Sequence, residues 1–363
     1  MTTKVFAHKL NTCRYYFFII TLVLILTTFG INNLETKHGK IQAPSYYSSG
    51  GIFENLRHVG LLNDSYMRQT QDKDTLMLAR KDLMKRVCSA LHEKPLVDPA
   101  LIRLYRNEYL QNLLVNLQQK LLYCYLPKDS KIQIWLNDAE QADENNKDMV
   151  DENDDLENNN NKFFYLKNVK DNLVEEIVWN YKKIIIVRHP LVRLLSTYLT
   201  KFDNRSLESE RQIFYSKVLK FYSDNPQIKR EFSESLVYAS KSLSFENFLT
   251  YWTDTFDIKS YVTEHFVPYF YLCNPCGVPY DFIAKLETLQ SDVEFIFEKN
   301  RLQVPSFSTD SFNMSLTTDD ILEEYFETIP EPLIKKIWHI LKYDFLMFGY
   351  NLPHWFKLKL NSS

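Results

Sequence analysis

The most telling pattern of hydrophobic and polar positions runs from Ile184 to Phe202 (IIIVRHPLVRLLSTYLTKF). Four consecutive β-branched residues, Ile184 to Val187, predict a buried parallel strand. Arg188 then stands at the strand end, and Pro190 is placed to open a helix. Leu191, Leu194, Leu195, Tyr198 and Phe202 recur at helical spacing and form one apolar stripe. Arg193 and Ser196 fall on the other side, about 60° apart around the axis. A strand-end arginine followed by a helix that carries a hydroxyl suits the grip of a phosphate. The segment therefore predicts an anion site in an α/β domain.

The rest of the pattern fits that class. Thr75 to Leu91 is amphipathic and predicts a helix, and Pro99 to Gln119 suggests another. Leu121 to Leu126 (LLYCYL) reads as a buried strand, followed by Pro127 and Lys128. Leu173 to Lys183 predicts a helix leading into the strand at Ile184. Further helices are expected at Ser235–Leu249, Leu286–Lys299 and Pro332–Lys342. Strands alternating with helices argue for a parallel sheet flanked by helices.

Tyr15 to Ile31 carries no charge and is close to the length that crosses a bilayer. Lys4, Lys9 and Arg14 precede it, so the positive side is N-terminal. No small-residue cleavage site is evident, which favours a retained signal anchor; a cleaved signal is the other reading. Either leaves the body of the chain in the secretory lumen. The expected organisation is a cytosolic tail at 1–14, a transmembrane anchor at 15–31, a stem at 32–74, a lumenal domain at 75–352 and a C-terminal tail at 353–363. Four glycosylation sequons, at Asn63, Asn204, Asn313 and Asn361, agree with that address.

Composition changes the picture in three places. Asp138 to Asn161 holds ten acids and one lysine, so the net charge of −3 hides a mildly basic remainder. That tract has almost nothing apolar to bury and is expected to be a disordered surface insertion. Only seven glycines occur, with no GxGxxG and no GxxxxGK[ST] pattern, which argues against a Rossmann dinucleotide site or a nucleotide-triphosphatase loop. Cys88, Cys124, Cys273 and Cys276 form an even lumenal set that allows three pairings. Cys273-x-x-Cys276 is half of a zinc site by spacing, but no second such pair exists to complete four ligands. In an oxidising lumen it reads instead as a small disulfide, leaving Cys88 with Cys124; no metal is expected.

The run Arg-x-Pro-x-x-Arg-x-x-Ser-x-Tyr-x-x-Lys-Phe, from Arg188 to Phe202, resembles the 3′-phosphate-binding segment of Golgi carbohydrate sulfotransferases. The likeness is greatest to the chondroitin/dermatan 4-O-sulfotransferase group. It implies 3′-phosphoadenosine 5′-phosphosulfate (PAPS) as donor, with Arg188 and Ser196 on its 3′-phosphate. Leu121 to Lys128 (LLYCYLPK) resembles the group's 5′-phosphosulfate segment, which implies donor contacts from Pro127 and Lys128. Lys128 would neutralise charge developing on the leaving phosphate. Past Lys128 the sequence departs from the family: Ile132 stands where Ser or Thr is expected, Trp135 is one place late, and Asp129 adds an acid. Ser130 is the hydroxyl left to serve there.

Thr263 to Thr288 resembles the group's acceptor-side segment, with Phe266 for its Trp and Ala284 for its Gly. His265 is the candidate general base, because an imidazole titrates in the right range; a hydrogen-bonding role in the core or to sugar is equally open. Glu264 and Glu287 are weaker candidates. The stretch from Ile329 to Tyr350 resembles the family's closing helix, and packing is its expected role. The resemblance implies the sulfotransferase fold, with its P-loop-like parallel sheet. It also implies a single-pass type II Golgi membrane glycoprotein that sulfates a glycosaminoglycan or related glycan. Nucleic acid is not an expected partner. The departure after Lys128 keeps a second reading open: an inactive lumenal relative that binds glycan or a partner enzyme.

Overall fold

The computed structural model describes residues 72–91, 110–117, 119–124, 164–202, 208–224, 243–256, 266–302 and 319–362. The chain divides into two units, Met1–Gly60 and Leu61–Ser363, and all described residues belong to the second. The expected anchor, the acidic insertion and the sequons at Asn63, Asn204 and Asn313 lie outside them. Among the described residues no helix is long and apolar enough to cross a membrane.

Helix α1 (Lys73–Ala90) starts where Asp72 accepts the Thr75 N–H at 3.0 Å, satisfying one of the donors that every helix start leaves open. Strands β1 (Leu113–Asn116) and β2 (Leu121–Cys124) form an antiparallel hairpin. Its turn is set by Asn116, whose Oδ1 accepts the Gln119 N–H at 2.8 Å, and by Lys120 at φ 52°. Strand β3 (Phe164–Tyr165) pairs with β1. Helix α2 (Asp171–Asn180) leads into β4 (Lys182–Val187), which runs parallel to β2. Then come α3 (Pro190–Phe202), α4 (Glu208–Asp224), α5 (Phe245–Asp254) and the single-turn α6 (Tyr269–Leu272). Strand β5 (Phe282–Lys285) lies parallel on the far side of β4. Helices α7 (Leu289–Lys299), α8 (Asp319–Glu327), α9 (Glu331–Phe348) and α10 (His354–Asn361) complete the domain.

The sheet order is β3-β1-β2-β4-β5. The expected parallel sheet holds for β2, β4 and β5, while β1 and β3 make it mixed. Residues 113–116, expected within a helix, are a strand. A short apolar run has no period that separates strand from buried helix, and pairing with β2 decides it. Strand β5 was also not anticipated.

One face of the sheet buries Leu121, Tyr123, Ile184 and Ile186 against Met77 of α1 and Val293, Ile296 and Phe297 of α7. A larger helical core gathers Leu191, Leu194 and Leu195 of α3 with α5, α8 and α9. Leu191, Leu194, Leu195 and Tyr198 of the stripe predicted for α3 are thus residues that pack. Residues 353–363, expected as a tail, include α10, whose Phe356 is fully buried beside Phe326. The sequon Asn361 is exposed at the end of α10.

The disulfides correct the expected pairing. Cys88 joins Cys276, and Cys124 joins Cys273. Cys273 follows α6, and the chain then turns at Asn274 (φ 43°), whose Oδ1 accepts the Gly277 N–H at 3.1 Å. That turn sends the two cysteines to different neighbours: one to the end of β2, the other to α1. Nearness in sequence misled because a tight turn separates side chains only three residues apart.

Candidate active site

The carboxyl ends of β2, β4 and β5 lie side by side, the place where open parallel sheets take their ligands. Arg188 leaves the end of β4 and Pro190 opens α3, as the pattern predicted. Arg188 is half-buried. Its Nε is buried and has no hydrogen-bond partner among the described residues. An unpaired buried donor costs about 1–3 kcal/mol, so the group is one that a bound acceptor would satisfy. Ser196 sits half-buried within the first two turns of α3, on the helix that Arg188 leads into. Arg188 thus stands at the turn between β4 and α3, and Ser196 lies farther along α3. Pro127, Lys128, Ser130, Glu264 and His265 lie outside the described residues.

The junction is held from three sides. Tyr269 is buried in α6, and its Oη accepts the Arg188 backbone N–H at 3.0 Å. Glu287 accepts the His189 N–H at 2.7 Å through one oxygen and the Tyr350 hydroxyl at 2.9 Å through the other. Burial keeps the Tyr350 phenol well above its usual range, so it stays a donor. The His189 ring lies edge-on to Phe345 and Tyr350, with Nε2 3.1 Å from the Asn351 carbonyl oxygen. Glu287, a weaker base candidate by sequence, is thereby a structural tie of the strand–helix turn. Gly349 at φ 60° ends α9 in the left-handed conformation that glycine favours and lets Tyr350 turn back to this tie.

Arg193 shares the polar side of α3 but belongs to the scaffold. Its Nη1 donates to the Val267 carbonyl at 2.7 Å, and its guanidinium lies 4.5 Å over the Tyr269 ring. Asp344 of α9, 1% exposed, accepts the Tyr269 N–H at 2.8 Å and the Phe270 N–H at 2.9 Å. Burial raises its pKa to about 6, against the lowering pull of those two N–H groups and of Arg193. Lys285, ending β5, sits 4.1 Å over the Tyr350 ring.

A model of the sulfotransferase family matches residues 111–351, from just before β1 to just past Tyr350. The chain belongs to the sulfotransferase family. Among curated relatives it is similar to carbohydrate sulfotransferase 14 of Danio rerio, 27% identical over 256 residues, 69% of this chain and 65% of that protein. It is equally similar to carbohydrate sulfotransferase 12 of Mus musculus, 27% identical over 347 residues, 89% and 80% of the two chains. Carbohydrate sulfotransferase 11 of Mus musculus is 26% identical over 262 residues, 69% and 70%. The chain spans just under two thirds of the Danio rerio protein's length. No solved structure matches. The family match takes in every element of the junction, from β2 through Arg188 and Tyr269 to Glu287 and Asp344.

Sequence reasoning missed Tyr269, Asp344 and His189 as parts of this site. Tyr269 and Asp344 were in segments already singled out, for the acceptor and for packing. The available signal was a buried-type aspartate in the middle of the apolar run of α9, where a charge needs a partner.

Proposed function

We propose that this family member transfers a sulfuryl group from PAPS to a hydroxyl of a glycosaminoglycan or related glycan, chondroitin- or dermatan-like. The observation that carries the reading is Arg188: a guanidinium at the carboxyl end of a parallel strand, its Nε buried without a partner among the described residues. Arg188 and Ser196 hold the donor's 3′-phosphate, and the half-buried setting of Arg188 strengthens its charge-assisted bonds. Pro127, Lys128 and Ser130 belong to the 5′ side, where Lys128 stabilises charge on the leaving phosphate. His265 takes the proton of the acceptor hydroxyl as its oxygen bonds to sulfur and the sulfur–oxygen bond to the phosphate breaks. Placement and charge stabilisation supply most of the rate in such a transfer. The setting is the Golgi lumen, with the chain anchored once near its N-terminus.

Sulfate transfer from labelled PAPS to a panel of glycosaminoglycans, by the full-length chain and its Lys128→Ala variant, tests the reading. Transfer by the wild type that drops at least a hundredfold in the variant supports it. No transfer by either, together with no binding of PAPS, gives the inactive glycan- or partner-binding reading instead.

A further inference from the structure

We infer that the lysines gathered at the amino end of β4, opposite Arg188, form a second anion site, which takes sulfate and carboxylate groups of the glycan chain. It rests on the reading of a glycosaminoglycan acceptor given above. Strand β4 is the ruler. Lys182 begins it and Arg188 follows its last residue, so its 6 residues set the two ends about 20 Å apart. At the amino end several lysines meet. The Lys182 backbone N–H donates to the Lys120 carbonyl at 2.9 Å, which puts the turn between β1 and β2 beside the start of β4. Lys183 is buried; its ammonium donates to the Tyr181 carbonyl at 2.8 Å and lies 3.8 Å from Asp281. Lys81 of α1 reaches the same carboxylate at 3.0 Å.

Asp281 is shared between Lys81 and Lys183, whose backbone N–H it also accepts. Lys120 and Lys182 are exposed and make no ion pair or side-chain hydrogen bond among the described residues. Burial lowers the Lys183 pKa, Asp281 opposes that, and Lys81 and Lys182 lower it further, so these ammonium groups stand close enough to repel. The acid facing them from α2 is Glu176, which, after burial, raises the Tyr181 pKa. Lysines therefore outnumber carboxylates here, and the two exposed ones are unspent. Trp179, 42% exposed, stands three residues before Lys182 and adds an aromatic face. Cations for sulfates and a ring for the face of a sugar suit a sulfated chain. A chain already held near Arg188 would meet this patch as an intramolecular contact, at high effective concentration. An anionic membrane surface has the charge but no such link to the reacting sugar.

The test uses the full-length chain and its Lys120→Glu/Lys182→Glu variant, which reverses the two exposed charges at the end of β4 away from Arg188. Affinity for a long chondroitin sulfate chain, read by fluorescence anisotropy, should fall about tenfold, and its dependence on salt should flatten. Trp179→Ala should weaken the same binding about threefold. Transfer to a chondroitin tetrasaccharide, too short to occupy both ends, and binding of adenosine 3′,5′-bisphosphate should stay within about twofold. Those two readouts also show that the variants are folded. Unchanged long-chain affinity in the charge-reversed variant overturns the second site, while tetrasaccharide transfer keeps the acceptor reading. Lost binding to phosphatidylserine vesicles with chondroitin binding intact also overturns it, in favour of a membrane contact. A wild type that binds the long chain through these lysines yet transfers no sulfate overturns the transfer reading and leaves the anion site standing.

Discussion

Two buried carboxylates, Asp292 at 0% exposure and Asp344 at 1%, are held in opposite ways. Asp292 in α7 is met by cations: Arg80 at 2.6 Å and Lys73 at 2.7 Å. It also accepts the Lys285 N–H and the Thr288 hydroxyl. Burial alone would raise its pKa, but these partners outweigh burial and leave it below the usual value. Asp344 has two backbone N–H groups and, among the described residues, no cation within ion-pair distance, so burial wins and its pKa rises to about 6. The first carboxylate locks α1, β5 and α7 together on the scaffold side. The second holds the segment on which Arg188 leans. A charge that is neutralised fastens the frame; one left to backbone donors leaves the site side responsive to pH.

Breaking the first should cost most. Asp292→Ala strands the buried Arg80 guanidinium and is expected to destabilise by about 3–5 kcal/mol in denaturant unfolding. Asp344→Ala leaves two buried N–H groups without their acceptor and should cost less, about 1–3 kcal/mol. It should also weaken bisphosphate binding, which Asp292→Ala does not do selectively among molecules that stay folded.

The pH dependence sharpens the contrast because the signs differ. Asp344 has a folded pKa above its ordinary 3.8, so its contribution is fully present below that value and fades as pH rises through about 6. Asp292 has a lowered folded pKa, so its contribution is present above 3.8 and is lost as pH falls through the folded value. Unfolding measured at pH 4.5 and 7.5 should therefore show the Asp344→Ala penalty shrinking toward the higher pH. The Asp292→Ala penalty should hold between those values and shrink only in stronger acid. A smaller effect is expected from Tyr350→Phe, which removes one hydroxyl bond to Glu287 and should cost about 1 kcal/mol.

What the sequence revealed follows the same divide. The strand at Ile184 and the helix from Pro190 were legible because β-branched residues, a helix-opening proline and a leucine stripe all point one way. Arg188 and Ser196 were legible as a spaced polar pair on those elements. Contacts between distant segments were not. Tyr269 meets Arg188 across 81 residues, and Asp344 meets Tyr269 across 75. Nothing local marks either contact. Strand β5 hid inside a segment read for its chemistry, since four residues are too few to show a period. The cysteine pairing failed for the same reason: Cys124 and Cys273 are 149 residues apart, and only the fold brings the end of β2 to the end of α6.

The central claim is that Arg188 receives the donor's 3′-phosphate, and binding of adenosine 3′,5′-bisphosphate to wild type and Arg188→Ala tests it most directly. Loss of a charge-assisted contact predicts about ten- to a hundredfold weaker binding of the bisphosphate, with adenosine 5′-monophosphate bound as before. Equal bisphosphate affinity in the two proteins, or an equal loss for both nucleotides, would contradict it.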